Sequence, residues 1–182
     1  MSEIDSERRE TVEQIRMACR QFARMYFNFC KTLVEQMGIE AATPLIQRAI
    51  FNLSLDRTDR MRSRAAAAGL ECTFENFGGL NDLPAIGWYD WTPEMGGVRC
   101  PYAEVWLEYF ETNPWFKPLA SLYCDVIDTT NIENFTQSLS HRITHNLLWG
   151  DSSCEREYFP SEEVAGGALT YGAREENSKD ED

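Results

Sequence analysis

Three cysteines, two histidines and two aspartates that can do chemistry fall within one stretch, from CPYAEVW through LYCDVID to HRITHNLLWGDSSCEREY. Cys100 stands immediately before Pro101, and proline at the first helical position marks a helix start. A thiol at that N-cap faces unpaired N–H groups and the positive end of the helix dipole, which favour thiolate. Cys124 and Asp128 are four apart on an expected helix and so share a face. His141 and His145 share one face of an expected strand, and Cys154 begins the strand that returns beside it. With Asp151 at the turn, these residues suit nucleophilic catalysis, in which a thiolate attacks an electrophilic carbon while a carboxylate or imidazole moves protons. Thiolate and imidazole ligands also suit zinc. The cysteines, however, are 24 and 30 residues apart, so a compact finger is not expected. Each residue also has a plain structural use: Cys124 as a small packed side chain, His141 as a core or rim histidine, Asp151 as a turn former.

Several elements must position these groups. Val12, Ile15, Cys19, Phe22, Tyr26, Phe29 and Leu33 step by three and four, which predicts one amphipathic helix from about Glu7 to Met37, stopped by Gly38. Cys19 and Cys30 fall on or beside that stripe and read as core. Thr43-Pro44 offers an N-cap and N1 proline for a second helix, closed by Gly69. Its Arg57, Arg60, Arg62 and Arg64 read as a solvated face paired with Asp56 and Asp59, or as a docking surface for a carboxylate. From Leu70 to Val98 glycine and proline break the chain, with two expected strands, Cys72–Phe77 and Ala85–Trp91. Trp88 and Trp91 read as aromatic core or as a pocket wall.

Pro101 opens a helix interrupted at Asn113-Pro114, and a second segment runs from near Trp115 to about Ile127, with Ile132–Phe135 as a connector. Leu139 to Trp149 alternates as a strand, Gly150–Ser153 is turn chemistry, and Cys154–Phe159 returns. A turn centred on Asp151-Ser152 pairs Trp149 with Cys154 and His145 with Tyr158. Helices and strands are segregated, so the expected class is α+β, with long N-terminal helices packed on a small antiparallel sheet and a broken central helix. The expected organisation is a single domain over 1–173 and an acidic disordered tail over 174–182.

A chain of 182 residues holds one well-buried core. Its net charge of −13 argues against nucleic acid and against anionic lipid surfaces as partners. No apolar run reaches the ~18–20 residues of a membrane span. The polar start MSEIDSERRE is unlike a secretory signal, so the cysteines read as reduced thiols and the location as cytoplasmic.

The ordered trio CPYAEVW, LYCDVID and LLWGDSSCEREY resembles the L-2-amino-thiazoline-4-carboxylic acid hydrolase-like family over roughly Arg99 to Phe159. Cys100, Cys124, Asp128, Gly150, Asp151 and Cys154 match its pattern, whereas Trp149 and the two histidines lie outside it and mark a different substrate or a different core. The resemblance implies a cytosolic α+β hydrolase, loosely similar to four-vinyl reductase-type domains, that opens a small cyclic amidine without a cofactor. Cys100, Cys124, Cys154, Asp128 and Asp151 are the expected catalytic residues. Substrate contacts are expected from His145, Trp149, Tyr158 and Arg156, whose guanidinium suits a carboxylate. The expected partner is a small-molecule substrate, with a homodimer open. The reading from another class is a non-catalytic small-molecule or zinc-binding module on the same fold. A third is an accessory protein of a biosynthetic pathway.

Overall fold

A computed structural model describes residues 3–88 and 100–161. The fold is α+β: two long N-terminal helices, a short third helix, a broken central helix and a two-stranded antiparallel sheet. Among the described residues no helix is long and apolar enough to cross a membrane. Trp91, the segment from Val164 to Tyr171 and the acidic tail over 174–182 lie outside the described residues.

Helix α1 spans Glu3–Met37 and ends at Gly38, whose φ of +81° only glycine adopts without strain. Its buried stripe is Val12, Arg16, Cys19, Ala23, Tyr26, Phe27 and Cys30. Phe29, expected on that stripe, is 63% exposed. It follows Asn28 and lies about 100° round the helix from Cys30, off the buried arc.

Helix α2 spans Ile39–Ala68, so Thr43 is not its cap. The turn begins directly after Gly38, where the Ala42 amide donates to the Gly38 carbonyl at 3.1 Å. Pro44 lies inside the helix and leaves one i−4 carbonyl without its usual amide donor. The other end matches expectation. Gly69 at φ +66° closes a paired cap in which its amide reaches Ala66 and the Leu70 amide reaches Ala65.

The two expected early strands are corrected. Residues Phe74–Leu80 form α3, with Thr73 as N-cap, and Ala85–Trp88 form a 3-10 turn. Thr73 reads as a β-branched strand residue, yet it stands at the N-cap of α3 without a side-chain capping bond, and the Glu75 carboxyl is lowered first by its own backbone amide and then by the Thr73 hydroxyl.

Helix α4 spans Pro101–Phe110, a 3-10 turn covers Pro114–Phe116, and α5 runs over Lys117–Thr136. The break falls at Asn113-Pro114 as expected, but α5 does not end at Ile127. Its polar Thr129, Thr130 and Asn131 are buried. Asn131 Oδ1 accepts from the Ser54 hydroxyl at 2.7 Å and the Thr58 hydroxyl at 3.2 Å. The helix stops instead at Gln137, with φ of 57°.

Strands β1 (Leu139–His145) and β2 (Glu155–Pro160) form the sheet. The Ser161 amide donates to the Ser138 carbonyl at 2.9 Å, which sets His141 opposite Tyr158 and Arg142 opposite Glu157. The expected pairing of His145 with Tyr158 is therefore displaced by four residues. A longer loop replaces the two-residue turn, with Leu147–Trp149 in a 3-10 turn and Gly150 at φ +101°. Trp149 accordingly does not pair with Cys154 across a ladder.

By contacts the chain divides into two compact units, each assembled from three separate segments. The first comprises Met1–Ala42, Leu83–Ser121 and His145–Cys154. Its core is aromatic: Tyr26, Tyr102, Trp106 and Phe116 pack around one another. Their polar ends are satisfied, with Tyr26 donating to the Leu119 carbonyl at 2.8 Å and Trp106 to the Ala23 carbonyl at 3.0 Å. Arg16 is buried, paired with Glu104, and donates to the Gly87 carbonyl at 2.7 Å. The second unit comprises Thr43–Asp82, Leu122–Thr144 and Glu155–Asp182.

In that second unit the arginine row of α2 is structural. Arg57 is buried and grips Asp82 with two nitrogens, Nη2 at 2.7 Å and Nε at 2.9 Å. Arg62 donates to the Asn134 and Phe135 carbonyls at the end of α5, and Arg64 to those of Leu80 and Asn81 at the end of α3. Only the Arg60–Asp56 pair is the exposed one-turn bridge expected of a solvated face.

Candidate functional site

The expected site residues fall in both units. Cys100, Cys154, Asp151, His145 and Trp149 belong to the first; Cys124, Asp128, Arg156 and Tyr158 belong to the second.

In the first unit Cys100 is the N-cap of α4, with extended backbone and Pro101 at N1, as its sequence position predicts. It makes no capping hydrogen bond of ordinary geometry. The electrostatic outcome is opposite to expectation. Burial pushes the Cys100 thiol up to about 11, although the Ala103 and Tyr102 amides and the Trp88 indole all act to lower it. The dipole and amides at a helix start are worth less than the cost of removing a thiolate from water. Cys154 lies close enough for its charge to oppose ionisation of Cys100 as well.

The loop around Cys154 is built by Asn146, the buried N-cap of the 3-10 turn. Its side-chain oxygen caps that turn by accepting from the Leu148 amide at 2.9 Å. Its own amide donates to Asp151 Oδ2 at 2.8 Å. Asp151 thereby holds the loop closed, the turn-forming use weighed for it above. The Cys154 sulfur accepts from the Leu147 amide at 3.5 Å and lies 3.8 Å from Asn146 Oδ1. Within this unit α4 packs against the same 3-10 turn. Trp149 is 47% exposed and donates from its indole to Ser121 Oγ at 3.2 Å. His145, the last residue of β1, is exposed.

In the second unit His141 is 4% exposed. Its Nδ1 meets Thr129 Oγ1 at 3.3 Å, its ring stacks on Tyr158 at 5.7 Å, and its Nε2 is buried without a hydrogen-bond partner. Burial depresses its pKa; Asp128 and Asp125 pull the other way, and Arg156 adds to the depression. Arg156 binds Asp128 through Nε, at 3.1 Å, and Nη2. Asp128, expected among the catalytic residues, and Arg156, expected to contact substrate, are thus engaged with each other. Tyr158 also packs on Phe74 at 4.7 Å, and burial chiefly raises its pKa. Cys124 lies one turn before Asp128 on α5 and is half-buried.

Cys19 and Cys30 are buried, and burial pushes the Cys30 thiol to about 12, so both are core residues. Among the described residues, no group of three or more His, Cys, Asp or Glu side chains is placed to hold a metal ion. Sequence reasoning missed Asn146 and Thr129. The first carried a signal: an Asn just before Leu-Leu-Trp-Gly is a turn cap followed by its closing glycine. A scan against protein-family models finds no match, and comparisons with curated proteins and with solved structures find none either.

Proposed function

We propose that this protein is a cytoplasmic hydrolase that opens a small cyclic amidine of the 2-aminothiazoline carboxylate kind, with Cys154 as nucleophile and Cys100 as proton donor. The observation that carries this reading is the arrangement of two thiols in one unit. Cys154 is half-buried with its sulfur on the Leu147 amide, while Cys100 nearby is held protonated at neutral pH. A thiol that stays protonated, beside a second thiol that accepts from a backbone amide, offers a workable acid and nucleophile. Free cysteines throughout the chain fit a reducing compartment.

Cys154 loses its proton to solvent and its sulfur adds to the protonated amidine carbon. The ring carbon–sulfur bond then breaks, and the departing ring sulfur takes the proton of Cys100. Water adds to the same carbon and expels the Cys154 sulfur, leaving a urea carbonyl. The two protons that water gives up restore both thiols. The product is an N-carbamoyl amino acid bearing a free thiol.

Incubation with 2-aminothiazoline-4-carboxylate, followed by thiol release and product mass, tests this. Wild-type protein releases one thiol per product, Cys154→Ser loses turnover by roughly a hundredfold or more, and Cys100→Ser loses about a hundredfold. Thiol release at wild-type rates by Cys154→Ser, or none by the wild type, overturns the reading. Binding of the same compound without turnover would point to the non-catalytic module.

A further inference from the structure

We propose that the solvent face of α1 is a homodimer surface, on which a second copy of this chain docks antiparallel to the first. The helix lies wholly in the first unit. On its solvent side Met17, Met25 and Phe29 are 54%, 51% and 63% exposed. At 100° per residue they fall within an arc of about 120°, which Gln14, Ala18, Gln21, Asn28 and Thr32 complete. All of these residues are uncharged, over about five turns of helix, in a chain whose net charge is −13. Charge enters the arc only beyond them, at Glu10 on one end and Glu35 on the other. Loss of charge combined with exposed Met and Phe is the composition of an interface centre, not of a solvated helix face.

The charges beside the arc select the occupant. Along one edge Glu10 and Glu13 stand in the N-terminal half and Arg24 and Lys31 in the C-terminal half, all exposed. Arg20, on the same edge, is bound to Glu13 and Glu104 of its own chain. An antiparallel copy with its twofold axis at Gln21 brings Met17 against Met25 of the second copy and Gln14 against Asn28. The same register sets Lys31 between Glu10 and Glu13 of the second copy, twice over by symmetry. A parallel copy instead places Lys31 beside Lys31 and Glu10 beside Glu10. At the outer ends Glu7 meets Glu35, which Lys31 of its own helix approaches at 3.8 Å. A seam from Gln14 to Thr32 is about 27 Å long, too small for a permanent dimer, so pairing depends on concentration. Neither Cys100 nor Cys154 lies on α1, so pairing does not depend on the hydrolase reading.

Sedimentation equilibrium of the full chain, from low micromolar to several hundred micromolar, reads this pairing. The expected mass rises with concentration from 21.0 kDa toward twice that value. Met25→Glu, at a position already open to solvent, should keep the helical circular dichroism and raise the dissociation constant at least about tenfold. Lys31→Glu should also raise it about tenfold, and adding Glu10→Lys should lower it again by at least about threefold. A wild type that stays at 21.0 kDa at every concentration, whether α1 meets water or a different protein, overturns the proposal. A dimer that Met25→Glu leaves intact overturns it too, because another surface then makes the contact. Pairing that ignores Lys31→Glu, or a loss that Glu10→Lys fails to reverse, overturns the antiparallel register and with it the choice of a second copy.

Discussion

At the scale of single residues, His141 shows how burial decides chemistry. Its imidazole is neutral in the fold because burial outweighs Asp128 and Asp125, and the unfolded chain binds a proton near 6.5. Below that value the unfolded state therefore binds more protons, and stability falls with falling pH until the depressed native pKa is passed. Urea midpoints at pH 7.5 and 5.5 should show this fall in wild type and a smaller one in His141→Phe, which keeps a ring against Tyr158. Equal falls would remove His141 as the cause. Asp151 poses a different question, since its carboxylate closes the Asn146 loop. Asp151→Asn retains an acceptor oxygen for that amide, so folding should change by less than about 1 kcal/mol. If turnover then drops sharply while stability holds, Asp151 acts on substrate; if both hold, it is a turn residue.

Among the elements, the 3-10 turn at Ala85–Trp88 is fixed by close approach to α1. A Cβ on Gly87 would stand 2.6 Å from Ile15 Cγ2, and the Gly87 carbonyl accepts from buried Arg16. Gly87→Ala should cost about 1–3 kcal/mol by overpacking. Paired with Ile15→Ala, it should cost measurably less than the two changes added together, which denaturant melts of the four proteins in the cycle will read. The loop between the strands depends likewise on one side chain. Asn146→Ala removes the cap of the 3-10 turn and should cost about 1 kcal/mol. Urea melts of this variant beside wild type check that cost.

Over the whole molecule, each unit contains a buried arginine bound to a carboxylate, Arg16 with Glu104 in the first and Arg57 with Asp82 in the second. Removing one member leaves a charge with little access to water. Arg57→Ala should destabilise by about 3 kcal/mol or more, whereas Arg57→Met combined with Asp82→Leu should recover much of that loss. Thermal melts check both, and a small effect of the single change would show that Asp82 finds another donor. Arg60→Ala on the exposed face of the same helix should cost less than about 0.5 kcal/mol.

Local rules acting over a few residues settled much of the chain from sequence. Glycine at left-handed φ closed α1 at Gly38 and α2 at Gly69, Pro101 opened α4 behind Cys100, and Asn113-Pro114 broke the central helix. Period-two alternation located β1, and separation of helices from strands gave the α+β class. Tertiary structure decided what depends on partners distant in sequence. Thr129 to Asn131 read as a helix end but continue α5, because Ser54 and Thr58 satisfy Asn131. The α2 arginines read as a surface, but Arg57 is drawn inside by Asp82. The hairpin register moved by four residues because Asn146 and Asp151 build a longer loop. Cys100 is the clearest case. Its place at a helix start was legible in one dipeptide, while the sign of its pKa shift was not, because desolvation comes from the packing around it and not from the helix it caps.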